Sequence, residues 1–358
     1  LGQGPADYSD GAMAAAIAFK CLPRETEAVL AQSEITNDLV ISIINFRTAE
    51  LTQACVASVL EDLAQSPAIR AHIVIVDNAS GDGSAETLEA WLHSLGPQAP
   101  VTLLRSPTNS GFSGGHNQGL TARKGRYYLV LNSDAVLHKG FCSAILAAAE
   151  AAPQTGLFAP RIEYEDGSQQ ISCFRVPSPA SEVIRAAATG AVSRALKSYV
   201  VAPAAQLPDA QIGWASFACI LLRAEMIEAV GLMDEGYFLY FEDTEYCLRA
   251  RRAGWGIAAV PAARIVHFRG GSAPVKGLAK ARKRLPAYYY ASRTRLFYQA
   301  HGRAGLLAAN LAWYLGRAIA LSRRLIGRAN SYRPVAHEAR DIWINFARPL
   351  GDRRAAKD

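Results

Sequence analysis

Between residues 38 and 131, short apolar runs alternate with segments of helical periodicity. The runs are continuous and rich in β-branched residues, as is typical of parallel strands buried on both faces. Two intervening segments, 51–65 and 84–95, repeat apolar residues at helical spacing. The alternation predicts an α/β fold with a doubly wound, mostly parallel sheet and flanking helices. The predicted strands cover residues 39–44, 72–76, 101–104 and 127–131, with two short ones further on at 256–260 and 264–268.

Polar side chains follow three of the predicted strands. Asn45 and Arg47 come after the first strand, Asp77 ends the second, and Asp134 follows the fourth. Ligands of such sheets bind beyond the carboxyl ends of the strands. We therefore expect a ligand site at this edge of the sheet. A glycine-rich segment, 111–119, is predicted to form a loop that leads into a short helix.

Three carboxylates follow directly after an aromatic and apolar run in the segment 237–248. They are Glu242, Asp243 and Glu245. Carboxylates at the edge of a buried run lose hydration, so they require partners. Asp243 can serve as a general base at the wall of a pocket, or it can cap the helix that begins here. This segment by itself leaves both interpretations open.

Several phosphate-binding motifs do not occur in the sequence. The first strand is followed by Asn45-Phe-Arg-Thr rather than G-x-G-x-x-G, and there is no G-x-x-x-x-G-K-[ST]. These absences argue against a dinucleotide-binding Rossmann turn and a P-loop. A sugar nucleotidyltransferase would carry a glycine-rich basic loop after the first strand, and none is present.

The remaining polar residues suit a nucleotide diphosphate held by a divalent cation, which can neutralise a departing diphosphate. Mg²⁺ and Mn²⁺ prefer oxygen ligands, often one or two carboxylates besides the phosphates. Asp134 can supply such a ligand or simply close a turn. His267 can be a second ligand or a core histidine.

Composition narrows the class and the cellular setting. With 358 residues, of which 50% are hydrophobic, the chain can bury a sizeable core in one large or two moderate domains. The six cysteines are scattered without close pairs, so we expect neither a zinc site nor disulfides, and a reducing, cytoplasmic setting. The first residues lack a basic segment, so no signal peptide is expected.

Charge is distributed unevenly along the chain. Residues 269–358 contain 19 Lys and Arg against 4 Asp and Glu, a balance of +15, whereas the remainder carries −8. A basic tail can bind nucleic acid, an anionic membrane surface or a partner. Its uncharged stretch, 304–316, is too short to span a bilayer. Arg317, Arg324 and Arg328 share one helical stripe and four leucines lie away from it, so this helix either lies in a membrane interface or docks on its own catalytic domain.

The ordered set of motifs resembles the family-2 glycosyltransferases with the GT-A fold, especially the bacterial branch that includes rhamnosyl- and galactofuranosyltransferases. The similarity covers residues 38–272 in family-like order and spacing. Each motif is weak by itself, whereas the ordered set is specific. The matching motifs are Val40-Ile-Ser-Ile-Ile-Asn45-Phe, Ile75-Val-Asp77-Asn-Ala-Ser-Gly-Asp82, Asn109-Ser-Gly-Phe-Ser-Gly-Gly-His-Asn117-Gln-Gly, Leu131-Asn-Ser-Asp134, Phe238-Leu-Tyr-Phe-Glu-Asp243-Thr-Glu-Tyr-Cys-Leu and His267-Phe-Arg-Gly-Gly-Ser272.

The resemblance implies a role for each candidate residue. Asp134 matches the last Asp of the metal-binding D-x-D motif, and His267 matches an additional ligand for Mg²⁺ or Mn²⁺. Asp243 matches the catalytic base, while Trp214 and Glu242 would face the acceptor. The implied donor-binding residues are Asn45, Arg47, Asp77, Asn109, Gly111, Asn117 and Asp134, with Asp77 at the base of the nucleotide.

The sequence departs from the family pattern at one position. The first Asp of D-x-D is Asn132 here, so Asp134 would be the one carboxylate of the motif on the metal. This departure makes His267 more important as a ligand.

The implied activity is inverting, metal-dependent glycosyl transfer from a nucleotide sugar. A dTDP-rhamnose donor is the first choice, followed by a UDP-hexose or UDP-galactofuranose. The acceptor would be a saccharide, lipid-linked, in cell-surface polysaccharide synthesis, and the basic tail would hold a cytoplasmic enzyme at the inner face of an anionic membrane. A non-catalytic nucleotide-sugar-binding module is the alternative. No nucleic-acid-reading motif is found, so no nucleic-acid partner is expected, and the sequence leaves open a homo-oligomer.

The predicted organisation has three parts. Residues 1–37 form an N-terminal extension and residues 38–272 the GT-A glycosyltransferase domain, with 175–212 as a lid or acceptor-side insertion. Residues 273–358 form a basic helical C-terminal region.

Overall fold

The computed structural model describes residues 37–268, 275–325, 327 and 334–351. The predicted extension at 1–37, except Asn37, and the predicted domain end at 272 lie outside these ranges. The strands are β1 (Asn37–Asn45), β2 (Ala71–Asp77), β3 (Val101–Arg105), β4 (Gly125–Asn132), β5 (Ala135–Leu137), β6 (Thr155–Glu163), β7 (Cys173–Phe174), β8 (Trp214–Ala215), β9 (Cys219–Arg223) and β10 (Gly256–His267). The helices are α1 (Ala49–Ala64), α2 (Ser84–Ser94), α3 (Gly111–Thr121), α4 (Phe141–Ala151), α5 (Pro179–Ala187), α6 (Gly190–Ala195), α7 (Ala224–Val230), α8 (Glu242–Arg252), α9 (Val275–Lys280), α10 (Ala287–Leu325) and α11 (Glu338–Asp341).

Eight strands form one mixed sheet in the order β3-β2-β1-β4-β9-β6-β10-β5. Neighbours from β3 to β4 are parallel, as are β6 and β10, whereas β9 runs antiparallel to β4 and β6. The predicted doubly wound, mostly parallel sheet is confirmed. The two short strands predicted at 256–260 and 264–268 are a single strand, β10, because its pairing with β6 continues across a register shift between Val260 and Arg264.

The parallel register brings the polar strand ends together. Asn45 at the end of β1 lies opposite Asp77 of β2, and Ile44 lies opposite Asn132 of β4. Residues 39–43 of β1 are buried, because helices cover both faces of the sheet here. This burial accounts for the continuous apolar run. The polar residues after each run therefore share one edge of the sheet.

The glycine-rich segment is helical, so its prediction as a loop is wrong. Gly111–Thr121 forms α3, which packs closely on the sheet. A Cβ atom at Gly119 would lie 2.1 Å from Ser42 Oγ, and one at Gly115 would lie 2.7 Å from Ile44 Cδ1. Glycine has a low helix propensity, but only glycine permits this approach, so packing decides the conformation.

The insertion is tied to the C-terminal region by buried ion pairs. Helix α5 packs along α10, and Glu182 pairs with Arg185 and Arg293 at 2.8 Å each. Arg185 also pairs with Glu338 of α11 at 2.5 Å. Burial by itself would raise the pKa of Glu182, but the two arginines outweigh burial and lower that pKa to about 2. The carboxylate therefore stays ionised between its partners.

Helix α10 consists of two arms that meet at Gly302. This residue has φ 68° and ψ −174°, which is not helical, and it separates residues 287–301 from residues 303–325. Among the described helices, α10 alone is long and apolar enough to cross a membrane, a criterion that core helices of soluble proteins also meet. One face of the second arm does pack on the domain, as one of the two alternatives predicted.

Candidate active site

A hydrogen-bonded network at the ends of β1 and β2 places the candidate base-binding residues. Asn45 Nδ2 donates to Asp77 Oδ1 at 2.7 Å and to Ser80 Oγ at 3.1 Å. The backbone amide and hydroxyl of Ser80 donate to the two oxygens of Asp77. Arg47, at φ 59°, donates from Nε to the carbonyl of Ser80 at 3.0 Å. The structure thus joins three predicted residues around Ser80, which the sequence did not single out.

The next turn of the site is organised by Asn78, another residue that the sequence analysis missed. Its Nδ2 donates to Asn109 Oδ1 at 3.1 Å and to the carbonyl of Gly111 at 3.0 Å. Its Oδ1 accepts from the amide of Ser110 at 3.0 Å. Gly111 has φ 74°, and a Cβ there would lie 2.1 Å from the carbonyl oxygen of Phe238. Asn109 and Gly111 therefore join the end of β2 to the segment around Phe238 that precedes Asp243.

The side chain of Asn117 is fully engaged elsewhere. It accepts from the amide of Met233 at 3.0 Å and donates to the carbonyl of Met233 at 2.9 Å and to Glu235 Oε1 at 3.1 Å. It is buried. These contacts anchor the segment that leads to the turn before Asp243. The predicted contact of Asn117 with the donor stays a prediction.

Asp134 and His267 lie side by side beyond the end of β4. Their Oδ1 and Nε2 atoms are 3.1 Å apart, and both side chains are largely buried. Asn132 Nδ2 is 3.5 Å from the same nitrogen of His267. The pairing of β5 with β10 sets this arrangement, since His267 lies opposite Ala135. Two residues that are 133 positions apart in sequence are thus brought into direct contact, while their role as metal ligands stays a prediction.

Gln170 holds the strand that carries His267. Its Nε2 donates to the carbonyls of Glu163 and His267, each at 2.9 Å, and the side chain is buried. The amide of Phe268 donates to the carbonyl of Asp134 at 2.9 Å. These contacts fix the backbone on both sides of the Asp134–His267 pair. No sequence signal marked Gln170, because its role depends on a contact across 97 residues.

Asp243 lies in the first turn of α8, where its carboxylate is partly buried. Its Oδ1 accepts from the amide of Thr244 at 2.7 Å and from the Thr244 hydroxyl at 3.2 Å. The backbone amide of Phe217 lies near this carboxylate and lowers its pKa, opposing the effect of burial. The N-cap residue is Phe241, but the Asp243 carboxylate accepts from the Thr244 amide of the first turn, so the structure leaves both the capping and the catalytic interpretation open.

Burial controls the protonation of the two neighbouring carboxyls. Desolvation raises the pKa of Asp243 to about 6, although hydrogen bonds from Thr244 and Phe217 oppose it. Desolvation, followed by the charge of Asp243, raises the pKa of Glu242 well above its ordinary value. Glu242 is buried, and its Oε2 has no hydrogen-bond partner among the residues that the structure describes. Burial therefore favours the neutral form of Glu242, whereas hydrogen bonds to Asp243 partly offset burial there.

The loop before β9 connects the Asp243 carboxylate to the Asp134 strand end. The amide of Phe217 lies near the Asp243 carboxylate, and the carbonyl of the next residue, Ala218, accepts from the amide of Asn132 at 2.9 Å. Consecutive backbone groups thus hold the candidate base and the D-x-D position. This connection joins the backbone segments that carry Asp243 and Asp134, while the pocket that the sequence predicts between them stays a prediction.

Trp214 borders the same loop from the insertion side. Its ring stacks on Phe174 at a centroid distance of 4.1 Å, and its Nε1 donates to the carbonyl of Arg175 at 3.1 Å. Trp214 is partly exposed and stands three residues before Phe217. Its stacked, half-open ring is compatible with the predicted acceptor contact, which stays a prediction.

The first arm of α10 braces the turn that precedes Asp243. Tyr240 and Phe241 have φ values of 72° and 71°, which are uncommon for bulky residues and cost energy. The ring of Tyr289 lies 5.7 Å from that of Tyr240 and 5.3 Å from that of Phe241. Ser292 Oγ donates to the carbonyl of Leu239 at 3.2 Å. These contacts hold the turn in its unusual conformation.

Comparison with solved structures defines the class to which this fold belongs. The mannosyltransferase PcManGT from Pyrobaculum calidifontis, solved in complex with GDP-Man and Mn²⁺, matches with a TM-score of 0.50 and 15% identity, over 91% of this chain and 88% of that one. GalNAc-T7, solved with UDP, GalNAc and Mn²⁺, matches with a TM-score of 0.51 and 16% identity, over 74% and 52%. The sheet with its flanking helices is therefore a GT-A glycosyltransferase fold.

Sequence comparison then identifies the family. Residues 40–176 match the family model described as Glycosyl transferase family 2. The N-acetylglucosaminyl-diphospho-decaprenol L-rhamnosyltransferase of Mycobacterium tuberculosis is 26% identical over 284 residues, which cover 73% of this chain and 85% of that protein. The low-salt glycan biosynthesis hexosyltransferase Agl10 of Haloferax volcanii is 24% identical over 240 residues, covering 66% and 69%. The chain carries a family 2 glycosyltransferase domain and is a glycosyltransferase, which confirms the resemblance seen in the sequence.

Proposed function

We propose that this glycosyltransferase moves a sugar, with rhamnose favoured, from a nucleoside diphosphate donor to a saccharide acceptor with inversion. Asp243 accepts the proton of an acceptor hydroxyl while that oxygen attacks the anomeric carbon. The bond between the anomeric carbon and the diphosphate breaks on the opposite side. A single displacement of this kind inverts the anomeric configuration.

One observation carries the proposal, namely the backbone bridge through Phe217 and Ala218. It holds the ionised Asp243 on one side and the end of β4 with Asp134 on the other. A general base should have a pKa near the working pH, and burial raises the pKa of Asp243 to about 6. This backbone connection supports the proposal that the base and the diphosphate site share one cleft.

Asp134 and His267 are the proposed ligands for a divalent cation. Their carboxylate and imidazole atoms are 3.1 Å apart, and the described part of the chain contains no group of three or more His, Cys, Asp or Glu suited to a metal. Two protein ligands with substrate phosphates completing the shell are a common arrangement for Mg²⁺. When bound, Mg²⁺ or Mn²⁺ would neutralise the charge that develops on the departing diphosphate. The Mn²⁺ in the titles of both structural neighbours supports this proposal.

The Asn45–Asp77–Ser80 network is the proposed site of the nucleotide base. Thymine and uracil both present an N–H donor that a carboxylate such as Asp77 can accept. We therefore propose a dTDP- or UDP-linked donor, in which dTDP-rhamnose takes precedence because the Mycobacterium tuberculosis relative is named a rhamnosyltransferase. A UDP-hexose or UDP-galactofuranose is the second choice.

The proposed acceptor is a lipid-linked saccharide of a cell-surface polysaccharide, bound against Trp214 and Glu242. The name of the Mycobacterium tuberculosis relative contains a sugar diphosphate on decaprenol, which supports this class. Such an acceptor is presented at a membrane surface, so the enzyme is proposed to work as a peripheral protein on the cytoplasmic side. The net positive C-terminal region is consistent with an anionic surface.

A two-stage assay tests the proposed function. Thermal unfolding is measured with dTDP, UDP and GDP, each with Mn²⁺, Mg²⁺ or a chelator, because a ligand that binds the folded state raises the melting temperature. The stabilising nucleotide then defines the donors offered with a lipid-linked saccharide. We expect stabilisation by dTDP or UDP only with metal, followed by transfer with inverted configuration in the product. Stabilisation by GDP alone, or retained configuration, would contradict the proposal.

A further inference from the structure

The second arm of α10, residues 303–325, presents a stripe of exposed leucines. Each is between 40% and 90% exposed, and their spacing places them on one side of the helix. Large contiguous apolar patches on a protein surface mark sites that bind another protein, a membrane or a ligand. The leucine stripe consists of Leu307, Leu311, Leu315, Leu321 and Leu325.

The opposite side of this arm is fixed to the protein, so the helix cannot rotate to bury the leucine stripe. Leu306, Trp313 and Ala320 are buried, and the arm packs along α5. A Cβ atom at Gly316 would lie 2.6 Å from the carbonyl oxygen of Val183, which shows how closely the two helices approach. The arm therefore has two apolar faces, of which one packs on α5 and the other, the leucine stripe, is exposed.

Basic residues border the leucine stripe, and acidic residues do not occur on the helix. By helical spacing, Arg303 and Arg324, which are both exposed, lie along one border of the stripe. No Asp or Glu occurs anywhere in Ala287–Leu325. Long arginine side chains can keep their stems on an apolar surface and place their charges among polar headgroups.

An aromatic pair adjoins the leucine stripe itself, because helical spacing places Tyr314 between Leu321 and Leu307 around the helix. Tyr314, which is 40% exposed, accepts a hydrogen bond at its hydroxyl from Trp343 Nε1 at 3.1 Å. Tyr and Trp are enriched where membrane hydrocarbon meets water, because their rings are apolar and their tips polar. Leucines, arginines and aromatic residues thus occur together on this one face.

Two occupants could cover the leucine stripe, and charge distinguishes them. A second copy of the chain, paired through the same stripe, would bring arginines against arginines with no carboxylate on either helix to offset them. An anionic bilayer supplies hydrocarbon for the leucines and negative headgroups for the arginines. The bilayer matches both features of the face.

We propose that residues 303–325 lie in the plane of an anionic membrane leaflet and insert the leucine stripe between lipid headgroups. This proposal deepens the proposed function, on which it rests for its purpose, by naming the surface that meets the membrane. The first arm of α10 contacts the catalytic turn through Tyr289 and Ser292. Docking of the second arm therefore orients the cleft towards the surface from which a lipid-linked acceptor is presented.

Vesicle flotation of the full chain tests this docking. Binding is compared on phosphatidylcholine vesicles and on vesicles that also contain phosphatidylglycerol. Leu311→Ser with Leu315→Ser removes the centre of the stripe, while Tyr199→Ser with Leu232→Ser is the matched control, since these residues are exposed outside α10. We expect the wild type and the control to bind anionic vesicles, and the stripe variant to bind at least about tenfold more weakly. Arg303→Gln with Arg324→Gln should reduce the preference for anionic lipid.

Equal binding by the stripe variant and the wild type would overturn the proposal, as would no vesicle binding by the wild type. Light scattering supplies a separate check, because a wild-type dimer that the stripe variant converts to a monomer would assign the stripe to a second copy. Hydrolysis of the nucleotide sugar without vesicles reports on the cleft independently. A protein that binds vesicles through the stripe but never turns over a nucleotide sugar would support the docking and overturn the proposed function.

Discussion

Asp243→Asn should abolish sugar transfer while leaving donor binding intact. Asparagine has nearly the same size, and its Oδ1 can still accept the hydrogen bonds that Thr244 donates to Asp243. The substitution therefore removes the base without opening a cavity. A general base contributes about 10²–10⁴-fold in rate, which corresponds to about 3–5 kcal/mol of transition-state stabilisation. We expect kcat to fall by that factor and the Kd for the nucleotide to change little.

The pH dependence of transfer supplies the second half of this test. Burial raises the pKa of Asp243 to about 6, so the carboxylate is protonated and inactive as a base below that pH. We expect kcat/KM of the wild type to rise tenfold per pH unit below pH 6 and to level off above it. Residual turnover by Asp243→Asn should lack this acid limb, because the group that titrates has been removed.

Glu242→Gln is the matched control for the assignment of the base. Because burial raises the pKa of Glu242 well above the ordinary value, its neutral form is favoured, and glutamine resembles that form. We expect this variant to keep the acid limb of the pH profile while raising KM for the acceptor. The reasoning fails if Asp243→Asn transfers sugar at a rate within tenfold of the wild type. A profile in which Glu242→Gln alone loses the limb would assign the base to Glu242.

Two further substitutions test the supports of the site. Glu182→Ala leaves the buried Arg293 without its carboxylate, so we expect a loss of about 3–5 kcal/mol in the free energy of unfolding by urea. Because the arginines lower the pKa of Glu182 from 4.5 to about 2, the wild type should keep this stabilisation above pH 4.5 and lose it as the pH falls through 2. Equal stability of the two proteins at pH 7 would contradict the argument. Gln170→Ala frees the carbonyl of His267, so we expect a higher metal concentration for half-maximal activity with little change in melting temperature. An unchanged metal requirement would show that Gln170 does not position His267.

The parallel half of the sheet was predictable because each of its signals is local. A strand such as β1 is an apolar run, and the residue that ends it, Asn45, is buried but polar, and its amide bonds to Asp77 and Ser80. Parallel pairing then puts Asn45 and Asp77 opposite each other, as the alternation of strands and helices predicts. The same local signal located Asp134 and the carboxylates at the start of α8.

Contacts between distant segments escaped prediction. Strand β9 is inserted between β4 and β6, and no pattern within residues 219–223 specifies those neighbours. The glycines of α3 indicated a loop because the local preference of glycine opposes a helix, whereas the demand for space beside Ser42 comes from the sheet. Gln170 and Asn78 escaped prediction for the same reason, because their side chains form hydrogen bonds with backbone groups far along the chain.

The basic tail shows a third kind of limit. The sequence predicted that the leucines and arginines lie on different stripes, and it left docking on the domain and membrane binding as alternatives. In the structure the second arm of α10 does pack on α5, through a different apolar face from the one that carries the leucine stripe. When a helix has apolar residues on two faces, the sequence pattern reveals both faces but does not say which of them packs on the domain.

Calorimetric titration of the nucleoside diphosphate, with and without Mn²⁺, tests the central claim most directly. The account holds that Asp134 and His267 bind the cation that anchors the diphosphate, while Asp243 acts only on the acceptor. The wild type and Asp243→Asn should therefore bind the nucleotide more tightly with Mn²⁺ than with a chelator. Asp134→Ala should lose that difference and His267→Ala should reduce it. Affinities that are the same with and without metal in the wild type, or a metal effect that survives in Asp134→Ala, would contradict the account.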